Sequence, residues 1–237
     1  MTAMCGRFTS LTPPAELAAI FEAEEVPADG AEMAFRPNYN VAPTTSVLVV
    51  ARSGDGHRRL GRMTWGLVPG WAKERRGSGH INARAETVAE KPSFRPSIRT
   101  KRCLVPMDGY YEWRTVDVAA SGPKRAVYVT RRDRRPLAVA GLWSTWTSPD
   151  DGVARRTCCV ITTAANPTLA RVHDRMPAVI EADDWEAWLG EGQSADAELG
   201  PVLELLIPAS DDVLTMVDVG PAVNAVRNNG PELIVPL

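Results

Sequence analysis

Cys5 directly follows Met4, and this pair carries the most unusual chemistry in the chain. If the mature chain began at Cys5, one residue would present both a thiol and an α-amine. Such a 1,2-aminothiol condenses with an aldehyde to an imine and then closes to a thiazolidine ring. An α-amine with a pKa of about 7.7 to 8.0 is roughly one-third neutral at about pH 7.5, whereas a lysine amine near 10.4 is neutral about once in a thousand. Cys5 is therefore a candidate nucleophile toward aldehydes.

Three residues stand before Met4, so this hypothesis depends on how the chain starts. Either translation begins at Met4, or the leader is removed after Met4, or Cys5 is not terminal and the hypothesis fails. The alternative is structural, because cysteine is among the residue types most often buried.

Composition excludes several classes of protein. The 237 residues fit one large domain or two small ones, and 44% hydrophobic with 24% charged residues is typical of a globular protein. With 27 basic and 29 acidic residues the net charge is −2, so the chain has no overall attraction to nucleic acid or membrane. Any site for a polyanion must be a local patch.

No targeting or metal-binding pattern is visible. Apolar runs stay below the roughly 18 residues of a spanning helix, and the start lacks a secretion signal, so we expect a cytoplasmic protein. Four cysteines and three histidines occur without CxxC spacing, so we expect no metal and no cofactor. Cys158 and Cys159 are adjacent in an apolar run, which predicts reduced thiols on opposite faces of one strand.

The pattern of apolar residues predicts mainly strands. Thr12 with Pro13 and Pro14 predicts a capped helix that ends near Glu24. Strands are predicted at 46–51, 60–65, 103–106, 126–130, 137–143, 157–163 and 213–219, and further helices at 83–89, 167–172, 183–189 and 197–206. Helices and strands do not alternate regularly. We therefore expect an α+β fold over residues 1–237, a single mixed domain with a curved, partly barrel-like β-sheet flanked by short helices.

Polar and aromatic residues cluster in five segments that packing alone does not require. They are a turn-like segment at 38–43, the loop 65–71 with two tryptophans, a helix opening at Asn82 and Arg84, Glu112 among aromatic residues, and His173 between arginines. Each also has a structural explanation. Asn82 would cap a helix, Trp65 and Trp71 would be core, and Glu112 and His173 would be solvated surface residues.

Together these segments resemble the SRAP family, the abasic-site processing proteins also called SOS response-associated peptidases. The resemblance rests on MCGRF at 4–8, NARAET at 82–87, GYYEW at 109–113 and HDRMP at 173–177, and it extends to NNGPEL at 228–233. It implies a protein that binds single-stranded DNA, attaches covalently to abasic sites through a terminal cysteine, and shields them. It also implies that the residues before that cysteine, here 1–4, are removed autocatalytically or by an aminopeptidase.

The resemblance also implies roles for individual residues. Cys5 would be the nucleophile, and Asn82, Glu112 and His173 would be the polar groups of the active site. The positions associated with holding the DNA backbone or stacking beside the lesion are Arg7, Asn40, Trp71, Arg84, Thr163 and Arg175.

General chemistry suggests a role for each of these groups in the reaction. An abasic deoxyribose is mostly a closed hemiacetal, so opening it needs an acid and a base. Glu112 lies among Tyr110, Tyr111 and Trp113, and desolvation would raise its pKa for that purpose. A histidine imidazole can accept and donate protons, so His173 would move them, and the uncharged amide of Asn82 would orient the sugar or the amine. Arginines suit phosphates, and Trp71 would stack on any base.

Three functions remain open from the sequence. The first is covalent capture of abasic sites in single-stranded DNA. In that function the imine at C1 also permits β-elimination of the 3′ phosphate, which is lyase activity that ring closure by the thiol would end. A second function is an N-terminal nucleophile amidohydrolase, in which Cys5 attacks an amide. A third is a noncovalent single-strand binding module. For the first we expect a monomer that is associated with the nucleoid when bound to DNA, with partners at the replication fork left undefined.

Overall fold

Most of the chain forms β-strands, as its short runs of β-branched residues predict. A computed structural model describes residues 5–26, 35–115, 124–190, 194 and 198–237. Within these ranges the strands are β1 (Phe8–Ser10), β2 (Glu24–Glu25), β3 (Asn38–Val41), β4 (Ser46–Arg52), β5 (Arg58–Trp65), β6 (Asn82–Arg84), β7 (Arg102–Met107), β8 (Gly109–Thr115), β9 (Lys124–Arg131), β10 (Leu137–Thr147), β11 (Ala154–Ala164), β12 (Arg175–Pro177) and β13 (Leu214–Val219). The α-helices are α1 (Pro14–Ile20), α2 (Arg95–Thr100), α3 (Trp185–Leu189) and α4 (Gly200–Glu204), and short 3-10 helices lie at Ala85–Thr87, Leu169–Arg171, Ala182–Asp184, Pro221–Asn224 and Pro231–Ile234.

Five strands close into a barrel in the order β5, β4, β7, β10 and β11. Neighbours along this order are antiparallel, and the ring closes where β11 pairs in parallel with β5, with Cys158 opposite Trp65. Closure removes the unpaired edges that an open sheet presents. Strands β2, β6 and β12 extend this sheet outside the ring. The expected α+β fold with a barrel-like sheet and short helices is confirmed.

A second, antiparallel sheet has the order β13, β9, β8, β1 and β3. Strand β1 lies between β8 and β3, with Phe8 opposite both Tyr110 and Val41. Residues near position 5 are therefore held beside the middle of β8, which the sequence places about a hundred residues later. This pairing positions the start of the described chain against the GYYEW segment.

The main core lies between the two sheets. Side chains of both sheets share it, including Cys5, Phe8, Trp65, Val105, Tyr110, Val129 and Cys158. The outer face of the barrel is covered by the helices, through residues such as Leu17 of α1, Ile98 of α2 and Trp188 of α3. Cys158 belongs to the first cluster and Cys159 to the second, so these neighbours do point to opposite faces of β11. All four cysteines are free thiols.

The seven strands predicted from the sequence are all present, and the 3-10 helix Ala182–Asp184 together with α3 covers the helix predicted at 183–189, but the other helices are shorter than predicted. Helix α1 ends at Ile20 rather than near Glu24, and Pro13 occupies its cap position. The hydroxyl of Thr12 does not cap this helix, because it donates to the carboxyl group of Asp108, the residue directly before β8. Pro14, at the first helical position, lacks one of the N–H groups that the first turn of a helix leaves unpaired.

Two local predictions near the candidate site are wrong. The segment 83–89 is not one helix: Asn82 to Arg84 form β6, which pairs in parallel with β11, and only the next three residues form a 3-10 turn. Asn82 therefore does not cap a helix. The turn predicted at 38–43 begins instead as strand β3, because β1 offers it a partner. In both cases pairing with a distant strand overrides the local preference.

Across the described ranges, no helix is both long and apolar enough to cross a membrane. In the same ranges, histidine, cysteine and acidic residues do not gather in groups of three or more that could hold a metal ion.

Gly109 permits the close contact between β8 and β9. A Cβ at this position would lie 2.5 Å from the Tyr128 ring, whose hydroxyl shares a hydrogen bond of 2.8 Å with Thr9 Oγ1. We expect Gly109→Ala to lower the free energy of unfolding by about 1–3 kcal/mol, because a rigid, buried ring must move. The measurement is chemical denaturation. Gly54→Ala is the matched control, since its Cβ would meet nothing within 4 Å. Equal stability of the two variants would contradict this contact.

Candidate active site

The site is centred on a hydrogen bond between Cys5 and Glu112. The backbone nitrogen of Cys5 donates to Glu112 Oε1 at 2.7 Å, and both residues are buried. Pairing of β1 with β8 brings them together, since Tyr111 N also donates to the carbonyl of Arg7. Cys5 has a φ of 45°, a left-handed conformation that costs a non-glycine residue roughly 1–2 kcal/mol. The backbone at Cys5 is therefore held in a strained conformation against the carboxyl group.

Burial makes Glu112 a proton carrier near neutral pH. Desolvation raises the pKa of its carboxyl to about 7, although the N–H groups of Cys5 and Trp113 act in the opposite direction. The negative charge of Asp174 raises the pKa further, and Lys124 lowers it. A group with a pKa near the working pH can both accept and donate a proton. The sequence-based prediction of a raised pKa from desolvation agrees with this environment.

Burial has a different consequence for the thiol of Cys5. Burial raises its pKa well above the usual value, and the neighbouring Glu112 raises it further. The sulfur is therefore protonated at neutral pH, and it is a poor nucleophile in that form. The backbone nitrogen of Cys5, by contrast, donates its hydrogen to a proton acceptor, the Glu112 carboxyl.

Tyr110 is a member of this site that the sequence analysis missed. It lies two residues before Glu112 on β8, so the two side chains share one face of the strand. Tyr110 is fully buried in the cluster that contains Cys5, and both Cys5 and Glu112 raise the pKa of its phenol after burial itself. The alternation of residues along GYYEW was the signal that could have identified it.

His173 lies at the edge of the site, two residues after the end of the 3-10 helix Leu169–Arg171. Its Nδ1 atom lies 2.8 Å from Asp174 Oδ1 and also accepts a hydrogen bond of 3.1 Å from the backbone N–H of Arg175. Asp174 is the same residue whose charge raises the pKa of Glu112. The histidine and the buried carboxyl are thus linked through one acidic neighbour, and the imidazole is partly exposed.

Asn82 approaches the site from the barrel. It lies on β6 opposite Val160 of β11, and Val160 packs in the same cluster as Cys5. The preceding carbonyl, of Ile81, accepts a hydrogen bond from Trp65 Nε1 at 3.0 Å. Trp65 is buried and packs edge-to-face on Phe8, with 5.1 Å between ring centroids. A continuous packed path therefore joins the Asn82 strand to the strand that follows Cys5.

This arrangement can be compared with known proteins. The family described as SOS response associated peptidase (SRAP) matches residues 4–226. The chain belongs to the SRAP family. The abasic site processing protein YoqW of Bacillus subtilis is 37% identical over 232 residues, which cover 98% of this chain and 99% of YoqW. The abasic site processing protein HMCES of Gallus gallus is 32% identical over 234 residues, which cover 86% of this chain and 67% of HMCES.

The fold is also shared with solved structures. A crystal structure of a protein from Bacteroides thetaiotaomicron superposes with a TM-score of 0.84 at 24% sequence identity, covering 98% of this chain and 100% of that chain. At that identity the likeness concerns the fold alone.

In this SRAP protein Arg7 is fixed by its neighbours. Its Nη1 atom donates to Asn40 Oδ1 at 2.9 Å and to the carbonyl of Val223 at 3.1 Å. Asn40 is buried, and its Nδ2 atom donates to the carbonyls of Val223, Ala225 and Asn228. The amide of Asn40 thus connects β3 to the C-terminal segment and orients Arg7. Because Asn40 is buried, its own side chain has little surface for direct contact with a ligand.

Two further arginines meet at Glu86. Arg175 forms an ion pair with Glu86 and donates to the carbonyl of Thr162, and its hydrogen bond is the main reason that the pKa of Glu86 is lowered. Arg84 is exposed and also lowers that pKa. Thr163, next to Thr162, is buried on β11 opposite Met176. The structure therefore brings Arg84 and Arg175 together, whereas Thr163 lies in the interior.

Trp71 is the exposed aromatic residue predicted for stacking. It lies in the loop between β5 and β6, and 66% of its surface is accessible, so it is not part of the core. Trp65, its neighbour in the sequence motif, is buried. Of the two tryptophans, only Trp71 has a face available to a ligand.

Replacing Glu112 tests its electrostatic environment. The pKa of about 7 lies above the ordinary value of 4.5, so the protonated carboxyl favours the folded state, and this contribution is full below pH 4.5 and is lost as the pH rises through 7. Glu112→Gln keeps an oxygen for the Cys5 N–H but does not ionise. We expect the variant to gain stability over the wild type as the pH rises from 5 to 8, levelling at roughly 3 kcal/mol.

Denaturation curves at several pH values provide the measurement. Glu90→Gln, at an exposed site, is the matched control and should give a difference that does not change with pH. A pH-independent difference for Glu112→Gln would mean that the carboxyl titrates normally.

Proposed function

We propose that this protein senses abasic sites in single-stranded DNA and attaches to them covalently through Cys5 as a thiazolidine, shielding the lesion during the DNA damage response. The observation that carries the proposal is the hydrogen bond from the nitrogen of Cys5 to a buried carboxyl with a pKa of about 7. The names of YoqW and HMCES, both abasic site processing proteins, support the choice of substrate.

The proposal requires that residues 1–4, which lie outside the described residues, be removed. The nitrogen that donates to Glu112 as an amide is the same atom that would become the α-amine. In hydrolysis of the bond between Met4 and Cys5, water adds to the Met4 carbonyl, the C–N bond breaks, and Glu112 gives its proton to the departing nitrogen. The same carboxyl would then serve self-processing, which is the peptidase activity in the family's description.

Capture of the sugar then uses Glu112 in both protonation states. As an acid and a base it opens the hemiacetal to the C1 aldehyde, and as a base it takes a proton from the α-ammonium. The amine adds to C1, water leaves, and the thiol adds to the C=N bond while its proton passes to the nitrogen. His173 assists these proton transfers, and Asn82 orients the sugar or the amine. The protonated thiol suits this order, because sulfur is needed only in the last step.

The imine that precedes ring closure also permits strand cleavage. With C1 held as an imine, loss of a proton from C2 expels the 3′ phosphate by β-elimination. Addition of the thiol removes the imine and ends this route. We therefore propose lyase activity as a side reaction that Cys5 suppresses.

Arginines and Trp71 are proposed to hold the strand. Arg7, Arg84 and Arg175 present planar guanidinium groups suited to phosphates, and a base stacked on Trp71 contributes about 1–3 kcal/mol without regard to sequence. Asn40 and Thr163 act from the interior in this proposal, Asn40 by orienting Arg7. Because the complete constellation comes from one chain, we propose a monomer, located in the cytoplasm and on the nucleoid when bound to DNA.

The amidohydrolase alternative is less well supported by the same geometry. An attacking cysteine needs thiolate character, and the surroundings of Cys5 raise the pKa of its thiol instead. A noncovalent binding module would have no use for a buried carboxyl at the nitrogen of Cys5.

The test uses a single-stranded oligonucleotide with one abasic site and a denaturing gel. We expect a lesion-dependent, heat-stable shifted band with the wild type and none with an intact oligonucleotide. Cys5→Ala with its α-amine exposed should lose this band yet still cleave the strand, and Glu112→Gln should slow formation of the band about a hundredfold. An undiminished heat-stable band with Cys5→Ala would refute the assignment, and turnover of amides without any shift would favour the amidohydrolase.

Intact mass of the same preparations is the necessary control. Protein that forms the band should lack residues 1–4. If protein that retains all four residues forms the band equally well, the α-amine is not the nucleophile.

A further inference from the structure

Tyr110 carries a buried hydroxyl that no described residue satisfies. The side chain is fully buried, and its Oη atom has no hydrogen-bond partner in the part of the chain that the structure describes. An unpaired buried hydroxyl is unfavourable compared with the same ring without oxygen. Phenylalanine would fill the same space in the core, so the hydroxyl has no structural use.

The surroundings of this hydroxyl point to the reaction centre. Tyr110 shares a face of β8 with Glu112 and a packed cluster with Cys5, and the charges of both act on its phenol. The next residue, Tyr111, has the opposite arrangement: its side chain faces the other side of β8, and its hydroxyl donates to the carbonyl of Tyr39 at 2.8 Å. Of these two tyrosines, Tyr110 is the one whose hydroxyl has no partner among the described residues.

We propose that the Tyr110 hydroxyl is a further catalytic group, which donates a hydrogen bond to the oxygen on C1 of the opened sugar as the Cys5 nitrogen adds. This inference rests on the proposed function. In that step the new C–N bond forms from the nitrogen lone pair, and the C=O π electrons move to the oxygen. The oxygen then takes a proton from Glu112, and the new ammonium nitrogen returns a proton to that carboxylate, which gives the neutral carbinolamine. Tyr110 keeps its own proton throughout, as suits a phenol whose pKa burial has raised.

Tyr110→Phe tests this proposal because it removes only the oxygen. We expect the rate of crosslinking at saturating oligonucleotide to fall at least about tenfold, since one donor to a developing oxyanion is commonly worth more than that. Thermal stability should be equal to or higher than that of the wild type, and the oligonucleotide concentration at half the maximal rate should not change.

Tyr111→Phe is the matched control. It also loses one hydroxyl, but a satisfied one on the other face, so it should lose stability and keep its crosslinking rate. A wild-type rate in Tyr110→Phe would overturn this proposal alone. Absence of crosslinking in the wild type, run on the same gel, would instead overturn the proposed function.

A second inference comes from a separate feature, a groove of about 360 Å³ beside the site. Its walls include Arg114, Val127, Arg171, Val172, Met216 and Asp218. It lies next to the candidate site, because Val127 lies opposite Glu112 in the β8–β9 register and Val172 directly precedes His173. Arg114 lies on the same face of β8 as Glu112, two residues further along.

The charges of this groove are positive and partly uncompensated. Asp218 is shared by Arg114 and Arg125. Arg171 is exposed and has no ion-pair partner among the residues described. An apolar floor of valines and Met216 between arginines suits a sugar and base with a phosphate at the rim.

We propose that this groove holds a nucleotide next to the lesion on the same strand, with Arg171 bound to its phosphate. The inference rests on the proposed function and assigns the groove to one side of the lesion. Arg171 acts on binding only, since it lies outside the group of residues that exchange protons.

Oligonucleotides with the lesion at the centre, the 5′ end or the 3′ end test this assignment with Arg171→Ala. For the central lesion we expect half-saturation at roughly tenfold higher concentration and a salt dependence shallower by about 0.7 in logarithmic slope, as for one lost phosphate contact. One of the two end-lesion oligonucleotides lacks the flank that the groove binds. On that oligonucleotide Arg171→Ala and the wild type should reach half-saturation at the same concentration.

The matched control is Arg156→Ala, an exposed arginine on β11 outside the groove. It should behave as wild type on all three oligonucleotides. If Arg171→Ala matches the wild type on every oligonucleotide, the groove is not part of the strand's path. If the wild type itself forms no adduct, the proposed function fails first.

Discussion

The buried hydrogen bond between the nitrogen of Cys5 and the carboxyl of Glu112 exists only when both sheets are folded. Neither residue can reach the other by local folding, because 107 positions separate them along the chain. The five-stranded sheet solves this by placing β1 between β8 and β3, and the barrel supplies the opposite wall of the same core. Folding of both sheets is therefore a condition for having a site at all.

Burial at this point has two effects that serve different atoms. It raises the pKa of the Glu112 carboxyl to about 7, where a proton is easily gained or lost. It raises the pKa of the Cys5 thiol well above its usual value, so the thiol stays protonated at neutral pH. The left-handed φ of Cys5 and the unpaired hydroxyl of Tyr110 add further unfavourable terms at the same place. Costs of this kind persist where the surrounding structure enforces them, and they concentrate at functional sites.

The sequence predicts the strands of the barrel well because their apolar runs are strong local signals. The opposite placement of Cys158 and Cys159 follows from the same two-residue period. Local signals fail where a distant partner decides the outcome. The segment that begins at Asn82 has good helix formers, yet its first three residues pair with β11, and the Thr12 hydroxyl donates to Asp108 instead of capping a helix.

The residues of the candidate site also differ in how well the sequence predicts them. Cys5 and Glu112 are recognisable from residue type and motif, and the desolvation of Glu112 follows from its aromatic neighbours. The burial of Asn40 and Thr163 does not, because it depends on the C-terminal segment and on β12, which no local pattern connects to them. Tyr110 was overlooked because a tyrosine in an aromatic run looks like packing, and only the unpaired oxygen distinguishes it from Tyr111.

Charge distribution bears on how such a site could select DNA. With a net charge of −2 the chain has no long-range field to attract a polyanion, so attraction must come from a few arginines close to the site. Several of these are held before any ligand arrives, Arg7 by Asn40 and Arg175 by Glu86. Holding a guanidinium in place reduces the side-chain entropy lost on binding, but its carboxylate partner weakens its field at a distance. Recognition built in this way is short-ranged. Under the proposed function this favours a strand already bent into the site over an extended duplex, and the exposed Arg171, which has no ion-pair partner among the described residues, adds a positive charge beside it.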